Sequence, residues 1–175
     1  MSECEDLTNI PISDLITRAE RTALETAQKL KSLGLHLALS ESCTAGLISA
    51  LLANMDGASA ILWGSYVCYK QEAKVAMLDL DNDALNMNGL VSRQTACSMS
   101  KSALEKSGAD ITAAVTGLAG QESDGKVTGG TIWVAAARRG KEITAKEYLF
   151  KGSRNAVRTR AAIAVLELIL NGLDN

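Results

Sequence analysis

The chain has 175 residues, of which 47% are hydrophobic and 22% are charged, proportions typical of a soluble globular protein with a hydrophobic core. Its formal net charge is −2, which predicts no nucleic-acid partner. No apolar run has the length of a membrane span, and the acidic first residues do not resemble a secretory signal, so we expect a cytoplasmic protein with no membrane partner. One histidine and four scattered cysteines favour neither a zinc site nor disulfides.

The predicted elements alternate between helices and strands for most of the chain. Residues 1–12 are expected to form a loose or docked tail, and residues 13–175 a single domain. A long amphipathic helix is predicted from an N-cap at Ser13 to a stop signal at Gly34. The elements predicted next are strand 36–40, helix 45–54, strand 60–69, helix 72–78, helix 92–106, strand 111–115, a hairpin of 131–138 and 142–150, and helix 154–170.

This order predicts an α/β fold, in which a mixed, mostly parallel sheet forms the middle of a three-layer α/β/α sandwich. Residues 80–88 are polar and predicted to be irregular, with room for one helical turn, and residues 121–130 are predicted to form a mobile glycine-rich loop. Trp63 and Trp133 are expected in the core. The apolar stretch 161–170 is suited to cover that core or to pair with a neighbouring subunit, so a homo-oligomer is expected.

Residues 37–48 carry the strongest functional signal in the sequence. An apolar strand ends in small polar residues at Ser42 and helical spacing resumes at once, which predicts a strand, a tight turn and a helix. Free backbone N–H groups and the positive end of a helix dipole gather at such a turn. The Ser42 hydroxyl could attack a carbonyl carbon while the amides hold the oxyanion, or the same amides could hold a phosphate. The turn by itself leaves both readings open.

A nucleophilic Ser42 needs a base, and the composition restricts the choice. The only imidazole, His36, lies upstream in the same predicted strand, about 20 Å away at roughly 3.3 Å per residue. A Ser-His-Asp triad and a pair of Cys43 with histidine are therefore excluded, which leaves a lysine or a carboxylate. Lys74 follows a predicted strand and is a candidate if burial or a neighbouring positive charge lowers its pKa. The alternative is a solvated lysine on a short amphipathic helix.

Three other features have a structural and a functional interpretation each. The strand that ends at Thr116 leads into a plain turn or into a ligand loop. Glu41 orients the site or caps the helix that follows. Cations are unfavourable at a helix N-terminus, so the arginines that begin the last helix indicate either a bound anion or a solvated basic face. These arginines are Arg154, Arg158 and Arg160.

Six short motifs in a fixed order together resemble the CinA C-terminal domain family over about residues 20–172. Each motif alone is weak, but their joint order and spacing are specific. The motifs are Ser40-Glu41-Ser42-Cys43-Thr44, Tyr69 with Glu72-Ala73-Lys74, Val91-Ser92, Val115-Thr116-Gly117-Leu118-Ala119-Gly120, Gly130-Thr131-Ile132-Trp133, and Gly152-Ser153-Arg154 with Val157-Arg158.

Stand-alone members of this family include nicotinamide-mononucleotide amidases of the PncC type, so the resemblance implies an amidohydrolase of pyridine-nucleotide salvage in NAD metabolism. It would convert nicotinamide mononucleotide and water to nicotinate mononucleotide and ammonia, without metal or cofactor, and it would act as a homo-oligomer. On the matching positions, Ser42 is the nucleophile, Lys74 its base, and Tyr69 a catalytic residue that organises the site. The implied substrate-binding residues are Glu41, Thr44, Gly46, Ser59, Thr116, Gly117 and Arg154.

The chain also departs from the family pattern. Ala45 stands where the family has the first of two glycines, and the loop 121–130 has no proline and two acidic residues. These departures keep two alternatives open. One is a weak or inactive nucleotide-binding or regulatory module, and the other is an amidase for another small carboxamide.

Overall fold

The computed structural model describes residues 10–174, so residues 1–9 of the predicted tail lie outside the described residues. Its elements follow the predicted order with two additions, a helix within residues 80–88 and a 3-10 helix at Ala58–Ala60. The helices are α1 (Ile12–Leu33), α2 (Leu47–Ala53), α3 (Gln71–Leu78), α4 (Asn82–Asn88), α5 (Arg93–Ser107) and α6 (Arg154–Leu173). The strands are β1 (Leu37–Glu41), β2 (Leu62–Val67), β3 (Ile111–Gly117), β4 (Thr131–Arg138) and β5 (Thr144–Leu149), and a 3-10 helix (Ala58–Ala60) precedes β2.

The five strands form one mixed sheet in the order β2-β1-β3-β4-β5. Strand β1 lies between β2 and β3 and is parallel to both, while β3, β4 and β5 are joined by antiparallel pairing. All five residues of β1 are buried, as expected for a central strand with both faces covered. The parallel strands therefore end together at one edge of the sheet.

Helices cover both faces of the sheet and complete the predicted three layers. Helices α1, α2 and α6 pack over one face, where alternate residues of β3 such as Ala113 and Val115 join the larger core cluster. Helices α3, α4 and α5 pack over the other face, against Ala114 among others. The apolar stretch 161–170 is buried within α6, so it covers the core. No helix among residues 10–174 is both long enough and apolar enough to span a bilayer.

The residues predicted to begin and end helices are confirmed at several positions. Gly34 and Gly108 end α1 and α5 in the left-handed conformation, and the Ser92 hydroxyl accepts a hydrogen bond from the Thr95 amide at the start of α5. The predicted N-cap at Ser13 is wrong, because Pro11 occupies the cap position and Ser13 lies inside the first turn of α1. A proline before the first turn loses no helical hydrogen bond, but it supplies no side-chain acceptor, and α1 begins without a side-chain cap.

Two other expectations are wrong, the burial of Trp63 and the irregular structure of residues 80–88. Trp63 is 50% exposed because β2 is an edge strand, and its ring stacks on that of Tyr66 instead of entering the core. The residues predicted to be irregular contain α4, whose first turn is held by the Asp81 carboxylate accepting from the Ala84 amide.

Candidate active site

Ser42 follows β1 directly, at the edge of the sheet where the parallel strands end. Its amide donates to the Val115 carbonyl of β3 (3.1 Å), and its carbonyl accepts from the Ala45 amide (3.0 Å). Ala45 has a φ of 51°, in the left-handed region that favours glycine, so the chain reverses sharply within four residues. The Ser42 side chain is thereby turned back to the sheet edge with 6% of the residue exposed.

The neighbouring carboxylate of Glu41 caps the start of α2. It accepts hydrogen bonds from the amides of Gly46 (3.0 Å), Ile48 (3.1 Å) and Ser49 (3.0 Å), and from the Ser65 hydroxyl (3.2 Å). A buried carboxylate needs such donors, and the first amides of a helix need acceptors. Of the two interpretations of Glu41, the structure therefore matches the helix cap, and the implied contact of Glu41 with substrate stays a prediction.

Lys74 on α3 reaches the Ser42 turn from the opposite side. Its ammonium nitrogen, Nζ, lies 2.8 Å from Ser42 Oγ and 2.8 Å from the carbonyl oxygen of Cys68, and donates to both. Only 1% of Lys74 is exposed, so the alternative of a solvated lysine is wrong. The family resemblance implies this nucleophile and this base, and the structure brings the two side chains into direct contact.

Burial is the main cause that lowers the pKa of Lys74 below its ordinary value of 10.5. The thiols of Cys68 and Cys43 oppose this effect. The other cause considered from the sequence, a neighbouring positive charge, does not contribute to the lowering. Lys70, the lysine one turn before Lys74, is exposed at the N-cap of α3. Burial also raises the pKa of the Cys43 thiol to about 12, so this neighbour of Ser42 is a poor nucleophile near neutral pH.

The turn after Ser42 offers two amides for a negatively charged oxygen. Among the described residues, the N–H groups of Cys43 and Thr44 donate to no backbone carbonyl. The Cys43 amide contacts its own thiol, and no acceptor faces the Thr44 amide among these residues. Thr44 is fully buried, and its hydroxyl is without a hydrogen-bond partner within residues 10–174. The amide of Gly46, by contrast, is bound to Glu41 and is not free. Preorganised amides of this kind stabilise an oxyanion when a carbonyl is attacked beside them.

The arginines at the start of α6 take three different positions. Arg154 is exposed, and its guanidinium donates to the Tyr69 hydroxyl (2.5 Å) beyond the end of β2. Arg158 is half-buried and donates to the carbonyls of Cys43 and Thr44. Arg160 is buried and donates to the carbonyl of Lys151. The three arginines therefore form neither one solvated face nor one anion site. Of the three, Arg154 alone is exposed to solvent.

Thr116 and Gly117 end β3 beside the Ser42 turn. The Thr116 hydroxyl donates to the Leu90 carbonyl (2.7 Å) and holds the segment before α5. A Cβ at Gly117 would lie 2.4 Å from the Ile132 side chain and 2.7 Å from the Thr131 carbonyl, so only glycine fits between β3 and β4 here. Both residues shape the floor of the site, and their contact with substrate stays a prediction.

Ser59 is the one predicted site residue that a single chain does not bring to this edge. It lies on the 3-10 helix that leads into the start of β2, where Leu62 pairs with Leu37. This is the amino end of the parallel strands, the full length of β1 away from Ser42. His36 lies at the same distant end, beside Asp110, as the elimination of a histidine base requires.

Two contacts of the site were missed in the sequence. The Cys68 carbonyl is the second acceptor for Lys74, and it has no sequence signal, because any residue at that position supplies a carbonyl. Arg158 was grouped with its neighbours as a cation. Its spacing of four residues from Arg154 places both on one face of α6, so the pattern could have shown that they approach the same edge of the sheet.

The fold and the site together define an α/β/α protein with a buried serine–lysine pair where its parallel strands end. Residues 19–173 match the model of the CinA C-terminal domain, and the chain belongs to this family.

Curated relatives and solved structures agree with this assignment. A putative competence-damage inducible protein of Lactiplantibacillus plantarum is 34% identical over 140 residues, which cover 80% of this chain and 33% of the relative. A CinA-like protein of Geobacter sulfurreducens is 36% identical and covers 89% of this chain and 38% of its own length. The crystal structure of the competence/damage inducible protein CihA from Agrobacterium tumefaciens superposes with a TM-score of 0.85 at 32% identity, over 90% of this chain and 96% of that one. The chain thus spans about a third of the length of these curated relatives.

Proposed function

We propose that this chain is a serine–lysine amidohydrolase that converts nicotinamide mononucleotide and water to nicotinate mononucleotide and ammonia. The observation that carries the proposal is the 2.8 Å contact between Lys74 Nζ and Ser42 Oγ in a buried place. A serine hydroxyl is a weak nucleophile until a base takes its proton, and a lysine serves as that base only when its pKa is lowered. Burial supplies this lowering at Lys74.

The proposed reaction has two halves that use the same two side chains. The neutral amine of Lys74 takes the Ser42 proton while Oγ attacks the carboxamide carbon, and the amides of Cys43 and Thr44 face the developing oxyanion. The C–N bond then breaks, and the Lys74 ammonium returns the proton to the departing nitrogen, which leaves as ammonia. Water next attacks the ester on Ser42, Lys74 takes a proton from it, and that proton returns to Oγ as the acid is released.

Arg154 is the group in this site that suits the phosphate of the substrate. It lies at the N-terminus of a 20-residue helix, is exposed, and is held by the Tyr69 hydroxyl. An arginine beside the first amides of a long helix favours a phosphate through charge and hydrogen bonds. Tyr69, with 52% exposure, would then orient Arg154 rather than exchange protons with Ser42.

The test is ammonia release from nicotinamide mononucleotide by the purified protein, with Ser42→Ala and Lys74→Met measured in parallel. We expect turnover by the wild type and a loss of at least about 1,000-fold in each variant, because the nucleophile and its base act as one unit. Lys70→Met is the matched control, since Lys70 is exposed one turn before Lys74. It should keep the wild-type rate.

Three results would contradict parts of the proposal. Turnover retained in Ser42→Ala would exclude the nucleophile, and turnover retained in Lys74→Met would exclude the base. A folded wild type that binds the nucleotide but releases no ammonia would favour a binding module. Release from other small carboxamides but not from this nucleotide would keep the chemistry and change the substrate.

A further inference from the structure

Arg158 binds two successive backbone carbonyls in the turn that carries the nucleophile. On the basis of the proposed function, we propose that Arg158 is a positioning residue that fixes the Cys43–Thr44 peptide so that the Thr44 amide faces the reacting carbonyl oxygen. It acts through the backbone of the turn and needs no contact with substrate. This role differs from that of Arg154 on the same face of α6, which is exposed and faces the solvent side of the site.

The contacts of Arg158 come from one rigid group. Its Nε donates to the Cys43 carbonyl at 3.2 Å and its Nη2 to the Thr44 carbonyl at 2.6 Å. The guanidinium is planar, so two donors on one edge define the directions of both carbonyls at once. A lysine at this position has a single mobile ammonium and could hold only one of the two carbonyls in a defined direction.

Peptide planarity carries this constraint from the carbonyls to the amides. In a trans peptide the N–H group points opposite to the C=O group of the same unit. Because the Cys43 carbonyl faces Arg158, the Thr44 N–H faces away from α6. Because the Thr44 carbonyl also faces Arg158, the Ala45 N–H is turned inward, where it donates to the Ser42 carbonyl (3.0 Å) and closes the turn.

The side of the turn away from α6 is also the side from which Lys74 approaches. Helix α3 lies on the opposite face of the sheet from α6, and Lys74 reaches Ser42 Oγ from there. The Thr44 amide, which has no acceptor among the described residues, is therefore turned to the side that holds the base and the nucleophile. Among the described contacts, Arg158 is the one partner of the Cys43 carbonyl. The Thr44 carbonyl has one further partner, the Leu47 amide.

The kinetic test compares Arg158→Met and Arg158→Lys with a change at the far end of the same helix, Ile169→Val. We expect Arg158→Met to lower kcat for ammonia release about 100-fold with KM changed less than about threefold, because a misdirected oxyanion donor affects the transition state alone. Arg158→Lys should lose about tenfold, and Ile169→Val should keep the wild-type kcat while folded. A kcat for Arg158→Met within about threefold of that for Ile169→Val would overturn the proposal.

A second measurement does not depend on the substrate. Residual dipolar couplings of the backbone N–H groups report bond directions in solution. We expect the couplings of Thr44 and Ala45 to change in Arg158→Met, while those of β1 and α6 remain as in the wild type. Unchanged couplings at Thr44 would overturn the positioning role. If the wild type released no ammonia, the proposed function would fail, and the couplings would still decide whether Arg158 directs this amide.

Discussion

Lys74 is unusual because lysine side chains normally reach solvent, whereas this one is almost completely buried. Its two hydrogen-bond acceptors, Ser42 Oγ and the Cys68 carbonyl, are both neutral, and no carboxylate among residues 10–174 is bound to it. An unpaired buried ammonium is costly, so the fold favours the neutral amine. The same burial that costs stability thus prepares the base that the proposed reaction needs.

We predict a characteristic pH dependence from this burial. A lysine with a lowered pKa binds fewer protons in the folded state than in the unfolded state, at pH values between its folded pKa and its ordinary value of 10.5. The free energy of unfolding therefore rises with pH in that window. Below the folded pKa, the whole cost of protonating the buried amine is subtracted from the stability. Equilibrium urea unfolding at several pH values should show the wild type gaining stability relative to Lys74→Met as the pH rises.

The activity should follow the same group in the same direction. Only the neutral amine can take the Ser42 proton, so kcat/KM should fall about tenfold per pH unit below the pKa of Lys74. Lys70→Met serves as the control in both measurements and should follow the wild type. A constant stability difference between wild type and Lys74→Met across the whole range would mean that Lys74 has the same pKa folded and unfolded.

Ala45 is a second residue at which the local chemistry opposes the backbone. Its φ of 51° lies in a region where a Cβ costs about 1–2 kcal/mol. We predict that Ala45→Gly raises the free energy of unfolding by about 0.5–1 kcal/mol, after the greater freedom of glycine in the unfolded chain is subtracted. Ala50→Gly, at an exposed position inside α2, should lower it by about the same amount. Chemical denaturation of both variants checks the opposite signs, and equal signs would contradict the strain at Ala45.

At the residue scale, the residues alone narrowed the choice and the family resemblance made it. The single histidine left a lysine or a carboxylate as the base, and the abrupt polar turn left Ser42 as a nucleophile or as part of a phosphate site. The resemblance to the CinA C-terminal domain family assigned the roles of Ser42 and Lys74. The sequence could not assign the partners of Glu41 or Thr116, because a carboxylate or hydroxyl binds backbone groups from any element that packs near it. Their observed partners, the α2 amides and the Leu90 carbonyl, depend on the three-dimensional arrangement.

At the scale of elements, α2 shows how a short helix can be held by a residue outside it. Helix α2 has seven residues, and no side chain at its own N-cap, Gly46, supplies an acceptor. Isolated helices of this length are unstable in water. The Glu41 carboxylate at the end of β1 accepts from the amide of this N-cap and from two amides in the first turn of α2, and so ties the strand, the turn and the helix into one unit.

We predict that Glu41→Gln destabilises the protein by about 2–3 kcal/mol, because an amide NH₂ replaces an acceptor among buried N–H donors. Ser65→Ala removes a single donor from the same carboxylate and should cost only about 1 kcal/mol. Urea unfolding of the two variants measures the difference. Equal costs would mean that the α2 amides contribute little through Glu41.

Element boundaries are predictable where glycine or serine has a conformational reason to end or begin a helix. Gly34 and Gly108 end α1 and α5, and Ser92 begins α5, as expected. The sequence predicts no more than a helical turn where α4 lies, because its seven residues are mostly polar and carry no apolar periodicity, and only Leu85 is buried. Trp63 was misplaced for a different reason, since a strand's sequence does not reveal whether it lies at the edge of the sheet.

At the scale of the whole molecule, the site exists only because both helical layers meet at one sheet edge. Lys74 comes from the layer of α3, Arg158 from the layer of α6, and Ser42 lies between them at the end of the central strand β1. Ser42 and Arg158 are 116 positions apart in the sequence, so their proximity depends on the complete sandwich. No segment-by-segment analysis of the sequence could have produced this arrangement.

The two edges of the sheet differ in a way that bears on self-association. Strand β5 carries Lys146 and Glu147 exposed along its length, and charged side chains protect an edge from pairing with another chain. Strand β2 has no charged residue, and Trp63 and Val67 are 50% and 40% exposed. We propose β2 as the contact surface of the homo-oligomer expected from the sequence, because the apolar stretch of α6 is buried in the core.

This difference leads to a prediction about assembly. Two copies that pair through β2 would each cover the unpaired backbone edge and the Trp63 ring of the other, and a charge introduced there would repel its symmetry-related copy. We expect Trp63→Lys to shift the protein to monomers in sedimentation velocity at micromolar concentration. Leu149→Lys introduces the same charge at a 59% exposed position on β5 and should leave the assembly intact. Equal sedimentation of the two variants would exclude β2 as the contact, and dissociation by Leu149→Lys alone would move the contact to β5.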